Sequence, residues 1–257
     1  FVFPNRVLRA GTLAQIKTST SARIVCIWPD TLVNWDTHQS ACLPLYDLVA
    51  TYSQSTISVL ESLGAKRVAW VPLAGDPHLH PAKPCTGEEK KESGADVTFI
   101  GGWRPEREAA LSRLGELNLR IWGPDWGRRS QRNSAVRRMW QGRALYGPDF
   151  ARAVACSKVN LNIIDPMNYP AANMRFFEIL TAGGLQVSSA CPEMEAEFRH
   201  GEHLFYYRDQ DELLPLVRSL LAEPDTTRRV AEQGRACVLE KHMYKHRALQ
   251  ILKLAGR

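Results

Sequence analysis

Residues 173–184, NMRFFEILTAGG, set a cation and an acid into an otherwise apolar stretch. Met174, Phe176, Phe177, Ile179, Leu180 and Ala182 cover nearly every direction around a helix, which is the pattern of a buried one. Arg175 and Glu178 stand three residues apart and therefore share a face. Charges in such a helix need partners, because unpaired ones cost on the order of several kcal/mol. Two readings satisfy this demand. One is a mutual ion pair used for packing. The other is a ligand site, in which Asn173 caps the helix and bares its first amides to a phosphate, Arg175 adds a cation, and Glu178 accepts two hydroxyls such as those of a ribose. Gly183-Gly184 then lets the next strand pack close.

A second candidate is Gly101-Gly102, which follows a strand-like run and precedes a segment carrying Arg104 and Arg107. Glycines there let the backbone approach a phosphate, a helix N-terminus favours an anion, and two arginines add charge. The competing reading is an ordinary tight turn. Other motifs fall away. No G-x-G-x-x-G follows a strand, no G-x-S-x-G elbow is present, and the approach to a P-loop ending at Lys17-Thr18 has Ile16 where glycine is needed. His242 and His246 lack the H-E-x-x-H pattern, and Pro77-His78-Leu79-His80-Pro81 reads as a stiff extended segment rather than a metal site.

These residues need elements to position them. The apolar runs predict strands at 23–28, 47–52, 67–71, 96–100, 119–122, 158–164, 185–188 and 203–207. Helices are predicted at 7–17, 53–63, 105–114, 149–156, 173–182 and near 192–199, with three polar-faced helices at the end. Such alternation means parallel sheets with helices on both faces. The Pro-, Gly- and charge-rich stretch 72–94 cannot feed a core and reads as a linker between two α/β units, the first of them short.

A chain of 257 residues, 44% hydrophobic and 23% charged, suffices for one large domain or two small ones, and no apolar run approaches the ~20 residues that cross a bilayer. The opening Phe1-Val2-Phe3-Pro4 has neither an initiator Met nor the regions of a signal peptide, and reads as a fragment whose natural start lies upstream. Six scattered cysteines without a C-x-x-C pair are expected to be thiols of a reducing compartment, with the cytoplasm as the default. The net charge of +6 is local. Residues 127–143 hold Arg128, Arg129, Arg132, Arg137, Arg138 and Arg143 with no acid between them. This is either a solvated face or a surface for an anionic acceptor or an anionic membrane; nucleic acid is disfavoured, because no RNA-binding or helix-turn-helix pattern accompanies the charge.

Five blocks occur in order: DVTFIGGWRPERE, LRIWGPDW, SKVNLNI, NMRFFEILTAGG and GEHLFYYRDQDEL. Over residues 96–254 the chain resembles the carboxyl-terminal domain of spore-maturation-type (CgeB-like) glycosyltransferases, relatives of the group-1 transferases. Upstream, RIVCIWPD and the run from Tyr46 to Pro77 are similar to the last half of that fold's amino-terminal domain. The resemblance implies an α/β, GT-B-like fold of two Rossmann-like parallel-sheet units facing across a cleft, the first incomplete. It divides the chain into a partial acceptor-side domain at 1–81, a linker at 82–95, a nucleotide-sugar-binding domain at 96–235 and terminal helices at 236–257.

The activity implied is transfer of a sugar from a UDP-, GDP- or TDP-linked donor to an unknown acceptor. The alternatives are a nucleotide-sugar-binding protein without transferase activity and an epimerase or phosphorylase of the same fold. By resemblance Glu178 binds the donor ribose, Asn173 and Arg175 face the diphosphate, Gly101 lines the same cleft, and Trp122 and Gly123 lie beside the base. Gly102, Arg104, Arg107 and Asn162 are counted with them. Pro170 stands where the wider E-x7-E pattern has its first acid. No D-x-D pair is read at a strand end, so donor binding is expected to need no metal or other cofactor. Asp30, at the end of a strand in the first unit, is expected on the acceptor side, where a carboxylate positions or deprotonates a hydroxyl. Its competing role is to cap the next turn.

Overall fold

Short, largely apolar strands separated by helices produce the alternation, seen here in a computed structural model that describes residues 8–256. Val7, at the expected start of the first helix, lies outside the described residues together with the opening Phe1-Val2-Phe3-Pro4. In chain order come α1 (Ala10–Ser19), β1 (Val25–Trp28), α2 (Thr37–Cys42), β2 (Leu48–Thr51), α3 (Ile57–Ser62) and β3 (Val68–Trp70). There follow α4 (Gly87–Ser93), β4 (Ala95–Ile100), α5 (Pro105–Ser112), β5 (Leu119–Trp122), α6 (Trp126–Arg129), α7 (Ala135–Met139), α8 (Gly147–Ala155) and β6 (Ser157–Asn162). The chain continues with α9 (Met174–Thr181), β7 (Gln186–Ser189), β8 (Phe205–Tyr207), α10 (Gln210–Ala222), α11 (Pro224–Lys241) and α12 (Tyr244–Ala255). Among the described residues no helix is long and apolar enough to cross a membrane.

Two compact units result. The first comprises residues 8–73, 166–172 and 244–256. Its parallel sheet has the order β1-β2-β3, with Val25 opposite Leu48 and Val49 opposite Val68. The last helix belongs here. Ile251 of α12 is buried among Val25, Leu48, Ala50 and Val71. Arg67 donates to the Leu254 carbonyl at 2.7 Å and Gln250 to that of Trp70 at 3.0 Å. Tyr52 donates to Oδ1 of Asn168 at 3.0 Å, which ties the excursion 166–172 to this unit.

The second unit comprises residues 74–165 and 173–243. Its five strands are all parallel, in the order β5-β4-β6-β7-β8. Val97, Phe99, Ile121 and Val159 make its core with Trp126 and Val217.

Several expectations change. The division falls after Leu73, so residues 82–95 are part of the second unit rather than a linker. A reciprocal Thr86–Glu89 capping box starts α4 inside that stretch. Cys85 is joined to Cys156 in a disulfide, which the sequence reading took for thiols. Cys26, Cys42, Cys191 and Cys237 take no part in a disulfide, and burial pushes the thiol pKa of Cys26 and Cys191 up to about 12. The terminal helices do not form a block of their own, because α11 packs in the second unit and α12 in the first. No helix forms near 192–199. Bonds from Met194 N to Cys191 O and from Glu197 N to Met194 O make successive turns that bury Phe198. Helices α2, α4, α6 and α7 were not anticipated, being too short to show an apolar period.

Candidate functional site

In the second unit the strand order reverses between β4 and β6: the chain leaves β4 on one side to form β5, then returns to the other side. Ligands of open parallel sheets bind outside the carboxyl ends of the strands at such a reversal. The side chains around it form a closed circuit. Arg175, in the first turn of α9, donates from Nε to the carbonyl of Ile100 at the end of β4 (3.1 Å) and pairs through Nη1 with Oε2 of Glu178. Arg107 of α5 donates to the carbonyls of Gly102 (2.9 Å) and Ile163 (3.1 Å). Asn162, ending β6, donates to Ser188 Oγ at 3.2 Å and accepts from Asn173 Nδ2 at 3.0 Å. Asn173 Oδ1 accepts the Phe176 amide at 3.1 Å, which caps α9 and returns the circuit to Arg175.

Arg104 adds an ion pair with Asp165 at 2.9 Å. Three guanidinium groups thus gather at the reversal against the carboxylates of Asp165 and Glu178. Burial lowers the Arg107 pKa, with Asp165 opposing and Arg104 and Arg175 reinforcing the shift. Guanidinium groups brought together in this way suit an anionic ligand. The Arg175 guanidinium lies 4.7 Å from the Phe150 ring centroid, which fixes its plane.

The turn after β4 is zipped to the turn after β5. Gly101 N donates to Trp122 O and Gly101 O accepts from Trp126 Nε1, each at 2.8 Å. Gly123 has φ +143°, and a Cβ there would fall on the Gly101 carbonyl. Both backbone groups of Gly101 therefore serve the turn itself. Trp122 is buried with Nε1 lacking a hydrogen-bond partner, and the Arg143 guanidinium lies 5.5 Å from its ring centroid.

All ten residues expected on the donor side lie at or beside the ends of β4, β5 and β6 in one unit. Asp30 does not join them: it follows β1 in the other unit, exposed, with Oδ1 accepting from Thr31 N (2.8 Å) and Oδ2 from Asn34 (2.7 Å). The arginine stretch meets acids just outside its bounds, as Arg128 and Arg129 pair with Asp125, and Arg143 with Asp149. A D-x-D triplet passed over in the sequence, Asp209-Gln210-Asp211, follows β8. Asp209 caps α10 by accepting the Asp211 amide at 2.8 Å, and Asp211 pairs with Arg113. Cys85, Glu89 and Cys156 cluster, but the two sulfurs are bonded to each other.

Sequence reasoning missed Asp165, Phe150 and above all His80. The last is buried with Nε2 at 3.8 Å from Oε1 of Glu178 and its ring edge-on to Phe150 at 5.2 Å. It sits in coil, where no period betrays burial. The two prolines beside it signalled only stiffness.

Two parallel-sheet α/β units, each built on strand–helix alternation, are the architecture of the GT-B fold, which the solved structures similar to this chain share. The chain belongs to the glycosyl transferase-like family, whose profile matches residues 106–253. No curated protein matches it. Among solved structures it is similar to sucrose-phosphate synthase from Thermosynechococcus elongatus, at 13% identity and TM-score 0.64 over 95% of this chain and 70% of that one. It is also similar to Anabaena HepE in complex with UDP-glucose, at 13% identity and TM-score 0.68 over 96% and 76%. A glycosyltransferase from Rickettsia africae matches at 11% identity and TM-score 0.66 over 96% and 79%.

Proposed function

We propose that the protein is a spore-maturation-type, nucleotide-sugar-dependent hexosyltransferase whose second unit holds the donor. The observation that carries this reading is the gathering of Arg104, Arg107 and Arg175 at the β4/β6 reversal. A diphosphate answers their charge, and cations and helix amides stabilise it as a leaving group. Glu178 accepts the ribose hydroxyls. Each carboxylate oxygen has two acceptor positions, so the bond from Arg175 to Oε2 leaves the group able to accept more. No divalent metal takes part in this reading. The solved HepE complex, which holds UDP-glucose on a similar fold, supports UDP as the first nucleotide to try.

Calorimetric titration with UDP, GDP and TDP tests the site. Glu178→Ala should weaken the tightest of them by about 1.5–3 kcal/mol per charge-assisted bond lost. Unchanged affinity in a folded variant would remove Glu178 from the site and leave the ion pair as packing. Affinity should survive EDTA, and a loss restored by Mn²⁺ would overturn the metal-free reading. Pro170, in place of the pattern's first acid, favours a second reading, donor binding without transfer. Release of UDP from UDP-glucose separates the two.

A further inference from the structure

One buried side chain at the donor site has no part in the reading above. Residues 80–85 run beside α8, held at one end by His80 on Phe150 and at the other by the Cys85–Cys156 disulfide. His80 is only 6% exposed, in a stretch of chain otherwise largely open to solvent. Its Nε2 faces Oε1 of Glu178 at 3.8 Å, while Nδ1 is buried without a hydrogen-bond partner. An apolar ring would fill the same space without leaving a buried nitrogen unsatisfied, which costs free energy.

Burial lowers the imidazole pKa; Glu178 and Asp76 oppose the shift and Arg175 adds to it. A neutral imidazole carries its proton on one nitrogen. With the proton on Nδ1, the Nε2 lone pair would point at a carboxylate, so the field of Glu178 selects the Nε2–H form. We infer that His80 is a positioning residue for Glu178: the field of its Nε2–H biases Oε1 while the hydrogen bond from Arg175 holds Oε2, so that the carboxylate keeps one orientation toward the donor's hydroxyls. At 3.8 Å the contact is electrostatic and not a hydrogen bond. The inference rests on the proposed donor role of Glu178.

The test compares two substitutions in the full chain, with UDP, or whichever of the three nucleotides binds tightest, as the probe. His80→Phe keeps the ring against Phe150 and removes the donor. His80→Gln removes the ring and keeps an N–H where Nε2 stood. Positioning predicts about two- to tenfold weaker binding for His80→Phe, the scale of freeing one polar side chain, and binding within about twofold of the original for His80→Gln. In a Glu178→Ala background His80→Phe should change nothing further. The reverse order, Phe tolerated and Gln impaired, would make His80 a packing residue and overturn the inference. If Glu178→Ala itself leaves affinity unchanged, the donor reading falls and this one with it; if Glu178→Ala weakens binding but His80→Phe does not, only the His80 role falls. Nitrogen-15 NMR of the unsubstituted protein reads the tautomer without any variant. Nε2–H is expected, and Nδ1–H would refute it.

Discussion

Phe150 is where the core meets the proposed donor site, so Phe150→Leu is the most informative perturbation of the core. The ring is fully buried and touches Arg175 by its face and His80 by its edge. Leucine keeps the site apolar but is smaller, and trimming a buried side chain in this way costs roughly 1–2 kcal/mol with the cavity left behind. Losing the cation–π contact adds about 0.5–2 kcal/mol, since Arg175 is largely sheltered, and losing the aromatic pair adds about 0.5–1.5 kcal/mol. A stability loss of about 2–5.5 kcal/mol is expected in urea unfolding, against the total of about 5–15 kcal/mol of a typical domain. Arg175 and His80 would then have to be ordered by the nucleotide itself, at about 0.5–1.5 kcal/mol for each side chain and about 1–3 kcal/mol together, which weakens UDP binding roughly five- to 100-fold. Phe198→Leu is the control. That ring is equally buried but packs on Phe176, Phe177 and His242, away from the guanidinium. It should lose stability and keep affinity. Equal weakening by both variants, or none by Phe150→Leu, would refute the claim that Phe150 organises the donor site.

Other expectations concern the scaffold and the second carboxylate. Replacing Cys85 and Cys156 by alanine opens a loop of 71-residue separation and should destabilise the chain by about 4 kcal/mol on loop entropy, read from denaturant midpoints with and without reductant. Gly123→Ala should cost at least about 2 kcal/mol, because the left-handed backbone and the Gly101 carbonyl both resist a Cβ; Gly102→Ala, whose Cβ would meet only Pro124 Cγ at 3.6 Å, should cost under about 1 kcal/mol. Thermal melts of the two variants decide it. Asp30 is exposed and caps its turn through Thr31 and Asn34, so Asp30→Asn, which keeps a capping oxygen, should leave UDP-glucose turnover near normal; lost turnover with intact UDP affinity would give Asp30 the acceptor-side base role instead.

The reach of the sequence is clearest at α9. Asn173 as cap, the all-round apolar set and Gly183 beyond the end are local signals, and the helix forms between them. Arg175 and Glu178 announced that they needed partners because their charge conflicts with that apolar setting. What those partners would be was not legible: the Ile100 carbonyl, Phe150 and His80 arrive from elements far along the chain, and pairing across a sheet leaves no trace in spacing. The same holds for Cys85 and Cys156, whose separation resembles no motif. The stretch 82–95 misled for a different reason. Its prolines and charges do read as coil, but a disulfide and a capping box hold it to the second unit without any apolar side chain.

That disulfide makes residues 85–156 a covalent ring carrying β4, β5 and the exposed arginine stretch. A protease that cuts after Arg128 or Arg138 opens the ring without freeing a fragment. The nicked chain should migrate as one species until a thiol is added, then part into two. A single cut in the arginine-rich segment thus leaves both halves of the sheet tethered.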